Sequence, residues 1–313
     1  MTTTALDLAV SFVGLSSALP RRALVYYARL VTAEISTMDG AMSDQVLFPE
    51  RFKNPARFYT TGRPSYPKLL ARRVASLVGL TLSENVLDLG TGPGFLAIDF
   101  APLAHAVTAI DPSDEMLQAA RQNAELTGVR IKFLKGSSFE LATRLAGELG
   151  RFKLVTIGRA FHWMDREQTL AALDTLLVHG GAVALFGERY PEVPDNAWHG
   201  EFQRLLDSYS SDDPAKARLR GTAQNDAVLL QSPFNHIERI SVVESRRTPV
   251  EHFVDRALSF GAAWDGRPGS REDDLADEVR KLISRYAKDG IVREVVEGHA
   301  LVALRNRDLD IRG

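Results

Sequence analysis

Asn85-Val86-Leu87-Asp88-Leu89-Gly90-Thr91-Gly92-Pro93-Gly94-Phe95-Leu96 is the stretch on which the fold turns. Val86, Leu87 and Leu89 read as a short buried strand. Gly90, Gly92 and Gly94 then fall at alternate positions, and a helix is expected to start near Phe95. A strand, a glycine-rich turn and a helix in that order make the ligand crevice at the carboxyl edge of an open, doubly wound parallel sheet. Glycine accepts positive φ and lets backbone approach a ligand with no Cβ in the way. The first amides of the following helix point at the same crevice.

Two features of the turn bear on the ligand. A dinucleotide fingerprint spaces its glycines GxGxxG, so that a pyrophosphate rests on the helix N-terminus. Here the spacing is GxGxG, with Pro93 inside the turn. Asp88 ends the strand, and a carboxylate there repels a pyrophosphate but attracts an ammonium group. The methionine half of S-adenosylmethionine carries such a group. The plainer reading is a strand, turn and helix whose glycines serve backbone geometry alone. The stretch resembles the first motif of class I S-adenosylmethionine-dependent methyltransferases, a hydrophobic pair followed by D/E-x-G-x-G-x-G. That resemblance implies a Rossmann-like α/β fold: a seven-stranded sheet, mostly parallel with an antiparallel C-terminal strand, and helices on both faces. It also implies S-adenosylmethionine as cofactor, with Asp88, Gly90, Gly92 and Gly94 at its site.

Downstream, a helix to about Leu103 leads to a second apolar strand, residues 106–110, which ends in Asp111-Pro112-Ser113. An acidic residue ending the second strand of a nucleotide-binding unit accepts hydrogen bonds from ribose hydroxyls; the alternative for Asp111 is a helix N-cap. The resemblance makes Asp111 the ribose ligand and sets Pro112 and Met116 against the adenine. Residues 114–127 form a helix with Met116, Leu117, Ala120 and Ala124 inward, and 131–134 a third strand. Gly136-Ser137-Ser138-Phe139 follows. Relatives often carry Gly-Asp there, with the Asp accepting from the adenine amino group; Ser137 stands in its place, followed by Ser138 and Phe139.

Residues 152–157 make a fourth strand that runs into Gly158-Arg159-Ala160-Phe161-His162-Trp163-Met164-Asp165. This A-F-H-W-x-D run looks like the segment after strand four in the trans-aconitate and type-11 methyltransferases, which puts Arg159 and Ala160 beside the cofactor. His162 is the candidate for orienting the acceptor or removing a proton, given its near-neutral reference pKa. The alternative is a histidine that bonds the backbone and seals the pocket. A helix over 169–177 is expected to be closed by His179-Gly180-Gly181, with glycine as a left-handed cap. A fifth strand follows at 182–186, and two alternating strands at 236–247 and 291–304 suit the end of such a sheet. Helices between these two, over about 249–290 and including Trp264, would form a lid.

Upstream, Tyr59, Arg63-Pro64 and Tyr66-Pro67 resemble the Y-x-x-x-R-P-x-Y-P entry segment of the trans-aconitate group, which lies over the cofactor. Arg63 is suited to a methionine carboxylate or an acidic acceptor, because guanidinium meets carboxylate in a bidentate way; the alternative is an exposed Arg in a Pro-rich turn. Pro67 is expected to open a helix.

The chain has 313 residues, a net charge of -2 and no cysteine. The balance of charge offers no footprint for nucleic acid, and disulfides and thiolate metal sites are excluded. No residue set suggests a metal. Residues 1–41 read as a loosely attached extension without a basic leader region, and residues 42–313 as the methyltransferase domain. The expectation is a cytoplasmic enzyme, monomer or homodimer, with no membrane span, methylating a small molecule. The rivals are a catalytically silent S-adenosylmethionine-binding or interaction protein and an NAD-dependent oxidoreductase.

Overall fold

The computed structural model describes residues 56–209, 225–260 and 270–305. The extension 1–41 and Trp264 lie outside the described residues.

Two helices, α1 (Ala56–Gly62) and α2 (Lys68–Val78), precede the sheet. The alternation begins with β1 (Asn85–Leu89), α3 (Phe95–Phe100), β2 (Ala106–Asp111), α4 (Asp114–Thr127) and β3 (Lys132–Lys135). It continues with β4 (Phe152–Gly158), α5 (Arg166–Leu176) and β5 (Leu177–Arg189). Then come α6 (His199–Tyr209), α7 (Asn225–Leu230), β6 (His236–Pro249), α8 (Val250–Ser259), α9 (Ser270–Ser284) and β7 (Ile291–Leu304). The seven strands lie in the order β3-β2-β1-β4-β5-β7-β6. β7 is inserted between β5 and β6 and runs antiparallel to both; the other neighbouring strands pair in parallel. The sheet therefore reverses strand order between β1 and β4, which opens a crevice at their carboxyl ends.

Alternation along each strand builds a core on each face of the sheet. Val86, Val107, Leu154 and Ala182 pack with Leu70 and Val74 of α2 and Phe100 of α3. Leu87, Leu89, Val155 and Val183 turn to the opposite face and meet Leu170 and Leu173 of α5. A third cluster joins α6, α8 and α9 through Trp198, Phe202, Phe253, Leu275 and Val279. Among the described residues no helix is long and apolar enough to cross a membrane.

One expectation fails. Gly180 does adopt a left-handed conformation, φ 66, but it caps no helix. α5 ends at Leu176, and Leu177 is already extended and opens β5. Phe152 pairs with Leu177, yet Leu154 pairs with Ala182, so the extra residues on β5 are absorbed in a bulge that holds Gly180. Glycine is needed there for a kink within a strand.

Candidate functional site

The crevice opens where the loops after β1 and β4 meet the segment around Tyr59 and Tyr66. Gly90, Gly92 and Gly94 all have positive φ (69, 53 and 85) but stand there for different reasons. A Cβ on Gly90 would fall 2.6 Å from that of Ala160, so the β1 and β4 loops touch through these two residues. A Cβ on Gly94 would press on Ala120 of α4 at 3.2 Å. A Cβ on Gly92 would meet nothing within 4 Å: this glycine borders open space.

Asp88 is 1% exposed, and its carboxylate is engaged inward. Oδ2 accepts from Thr91 Oγ1 and from the backbone N of Ala97, and Oδ1 from Thr156 Oγ1. Gly94, the N-cap of α3, has no side chain to cap with; Asp88 supplies the missing acceptor from the neighbouring strand. Burial raises its pKa to about 6, against the pull of these three hydrogen bonds. The ammonium partner expected at Asp88 thus meets a carboxylate already holding three donors.

Asp111 stitches the glycine turn to β2. Its Oδ2 accepts from Gly92 N at 2.8 Å and its Oδ1 from Ser113 N at 3.0 Å. Burial raises its pKa to about 6 as well. Asp111 is not the N-cap of α4: Ser113 is, accepting from Met116 N. Pro112 is half-buried and Met116 is buried. Ser137 caps the 3-10 turn 138–140 in a capping box with Glu140, whose Oε2 accepts from both its N and its Oγ. Ser138 is buried, and Phe139 is half-buried.

Arg159, at φ 56, is one of two non-glycine residues with positive φ among those described. Its Nη1 donates to Pro64 O and pairs with Glu188 at 3.2 Å, and its guanidinium lies 4.7 Å from the Tyr66 ring centroid. Arg63 belongs to the other wall. Its Nε donates to Ser259 Oγ at the end of α8, and its guanidinium sits 3.5 Å over the ring of Phe260 and 5.3 Å from that of Tyr59. Tyr59 in turn faces Phe95, the first residue of α3.

His162 has an exposed side chain. Desolvation, ahead of the charges of Arg166 and Arg63, lowers its pKa to about 4. The imidazole is therefore neutral at pH 7. Among the described residues no group of three or more His, Asp or Glu is arranged to hold a metal ion.

Three participants were not singled out from sequence: Glu188 at the end of β5, Ser259, and Arg256. Arg256 of α8 is buried. It donates through Nε to Gly62 O and grips Glu294 of β7 with both Nη groups, while Thr248 Oγ1 also donates to Glu294. A Cβ on Gly62 would lie 2.4 Å from Arg256 N, so α1 and α8 touch backbone to backbone. Nothing in local spacing marks these residues, because their partners lie 38 and 194 positions away in the chain.

Residues 86–181 match the family model described as a methyltransferase domain. The demethylmenaquinone methyltransferase of Thermus thermophilus is 34% identical over 143 residues, 43% of this chain and 62% of that protein, less than two thirds of its length. An uncharacterized methyltransferase of Mycobacterium bovis is 24% identical over 73% of this chain and 83% of its own. A methyltransferase from Thiobacillus denitrificans, solved in complex with S-adenosyl-L-homocysteine, covers 80% of this chain and 98% of its own at 19% identity and a TM-score of 0.43.

Proposed function

We propose that this chain, which carries a class I S-adenosylmethionine-dependent methyltransferase domain, transfers a methyl group to a small-molecule acceptor in the cytoplasm. The observation that carries the reading is the crevice at the strand-order reversal, inside the matched span 86–181. The residues present fit the cofactor. Gly92 borders open space, and Tyr66 Oη and Arg159 Nε are buried polar atoms without a hydrogen-bond partner in the crevice wall. Asp111 keeps acceptor capacity beyond its two amide bonds.

When bound, the cofactor would supply an electrophilic methyl group on a sulfonium, with S-adenosylhomocysteine as the leaving thioether. The chain's own task is to hold the two reactants close and aligned, and such positioning contributes roughly 7–11 kcal/mol. Asp111, Pro112 and Met116, with Ser137, Ser138 and Phe139, would hold the adenosyl end. The glycine turn, Ala160 and the wall formed by Tyr59, Tyr66 and Arg159 would enclose the methionine end and exclude water. Arg63, held by Ser259 and stacked on Phe260, would orient an acidic or polar acceptor. A neutral His162 would orient the acceptor through a ring nitrogen, and at a pKa of about 4 it is a weak base.

Calorimetry tests the reading. The chain is expected to bind S-adenosylhomocysteine and to ignore NAD. Binding of NAD in preference would overturn it.

A further inference from the structure

The sheet has two edge strands, and they are built unlike each other. β3 is four residues long and carries an exposed lysine at each end. Short length and lysine are common means of blunting an edge. β6 has neither. It runs for fourteen residues without a lysine and pairs with β7 in one unbroken register, with no bulge. Its one proline is its last residue, Pro249. It ends the strand order, so one side of its backbone has no strand beside it. Among the described residues, the backbone of 236–248 makes backbone hydrogen bonds with β7 alone. A row of open amide and carbonyl groups of that length is a template for another strand.

We propose that the free edge of β6 is a dimerisation surface: it pairs antiparallel with β6 of a second copy, about a twofold axis at Val242, and joins the two sheets into one.

Charge selects both the partner and the axis. Ile240 and Val242 pack on the core that holds Leu70 and Val74 of α2, and alternation puts Glu238 and Arg246 on that same face. Arg239, Val243 and Arg247 fall on the opposite, exposed face. Opposed residues of an antiparallel pair share a face, so a twofold axis normal to the sheet passes through a residue. An axis at Ser241 would set Glu238 against Glu244 of the partner subunit. One at Val243 would set Arg239 against Arg247 of the partner subunit. Like charges directly opposite are destabilising. An axis at Val242 instead sets Glu238 against Arg246 of the partner subunit, and symmetry makes that contact twice. It also overlaps 236–248 in full, whereas axes nearer either end shorten the pairing.

Both members of the pair are open to a partner. Glu238 has His236 beside it at 3.8 Å, and Arg246 bonds Ser65 O and Glu244 through Nη2, which leaves Nε and Nη1 to donate. The surface also adjoins the crevice, because Ser65 is the residue before Tyr66 in the crevice wall.

Sedimentation velocity on the full chain tests the proposal, with Glu238→Arg and Arg246→Glu as variants, each verified as folded by its thermal transition. The parent should sediment at twice the mass of the chain. Each variant sets like charges against each other at both contacts, and its self-association should weaken about tenfold or more. Mixed together, the two variants regain opposite charges at both contacts and should form a heterodimer. Glu238 is half-exposed, so Glu238→Arg decides the matter alone if Arg246→Glu unfolds through loss of its bond to Ser65.

A parent that stays monomeric as its concentration is raised would overturn the proposal and leave the edge to some other chain. A dimer that both variants keep unchanged would place the contact elsewhere and overturn it too. Variants that separate but fail to join when mixed would overturn the pairing of Glu238 with Arg246, and the axis at Val242 with it.

Discussion

Asp111 accepts one backbone amide on each oxygen, which leaves each oxygen further acceptor capacity. Asp111→Ala is expected to weaken S-adenosylhomocysteine binding by about 1.5–3 kcal/mol, the range for hydrogen bonds to a charged group. Calorimetry checks this, and unchanged affinity would remove Asp111 from the site. The same carboxyl sets a pH profile. Burial raises its pKa to about 6 in the free protein, whereas donated ligand hydroxyls favour the charged form. Affinity should be flat above about pH 6 and fall below it, by at most about tenfold per pH unit for one proton. Asp111→Asn should flatten that profile. For folding the sign is opposite. Asp88 and Asp111, both raised to about 6, contribute stability that is full below the ordinary carboxylate range and lost as pH rises through about 6.

At the scale of elements, α1 and α8 behave as one wall. Gly62 abuts the backbone of α8, Arg256 bonds Gly62 O, Thr61 bonds Asp255, and Arg63 bonds Ser259. S-adenosylhomocysteine should therefore slow hydrogen exchange in residues 56–66 and 250–259 together. Protection of the first segment alone would show that α8 takes no part in closure, and equal exchange with and without ligand would show that neither segment is a lid. Elements were legible in sequence where one periodicity governs a segment. The helix 114–127 shows an inward face of Met116, Leu117, Ala120 and Ala124, and it ends at those bounds. The β7 strand 291–304 likewise keeps its bounds. His179-Gly180-Gly181 misled, because a left-handed glycine serves a strand bulge as readily as a helix cap. Glu188, Ser259 and Arg256 were illegible for a different reason: each acquires its meaning from a partner far away in the chain.

For the molecule as a whole, the order β3-β2-β1-β4-β5-β7-β6 ties the sheet together with its final strand. β7 pairs with β5 along eight residue positions and with β6 along fourteen, whereas β1 to β5 are joined to one another by parallel pairing. A ribosome releases these strands in a different order. β6 leaves it with its hydrogen-bonding partner still unmade, and β5 waits with one open edge until residues 291–304 follow. Exposed edges of that kind recruit other chains. A polypeptide stopped before Ile291 should therefore lose the pairing of two strands along with the missing one, and it should sediment as aggregate in a cell-free translation where the full chain stays in the supernatant. A monomeric, folded product from the shortened message would show that β6 finds shelter without β7. On this account the nascent chain spends its most vulnerable interval near the end of synthesis, after the crevice-forming strands have emerged.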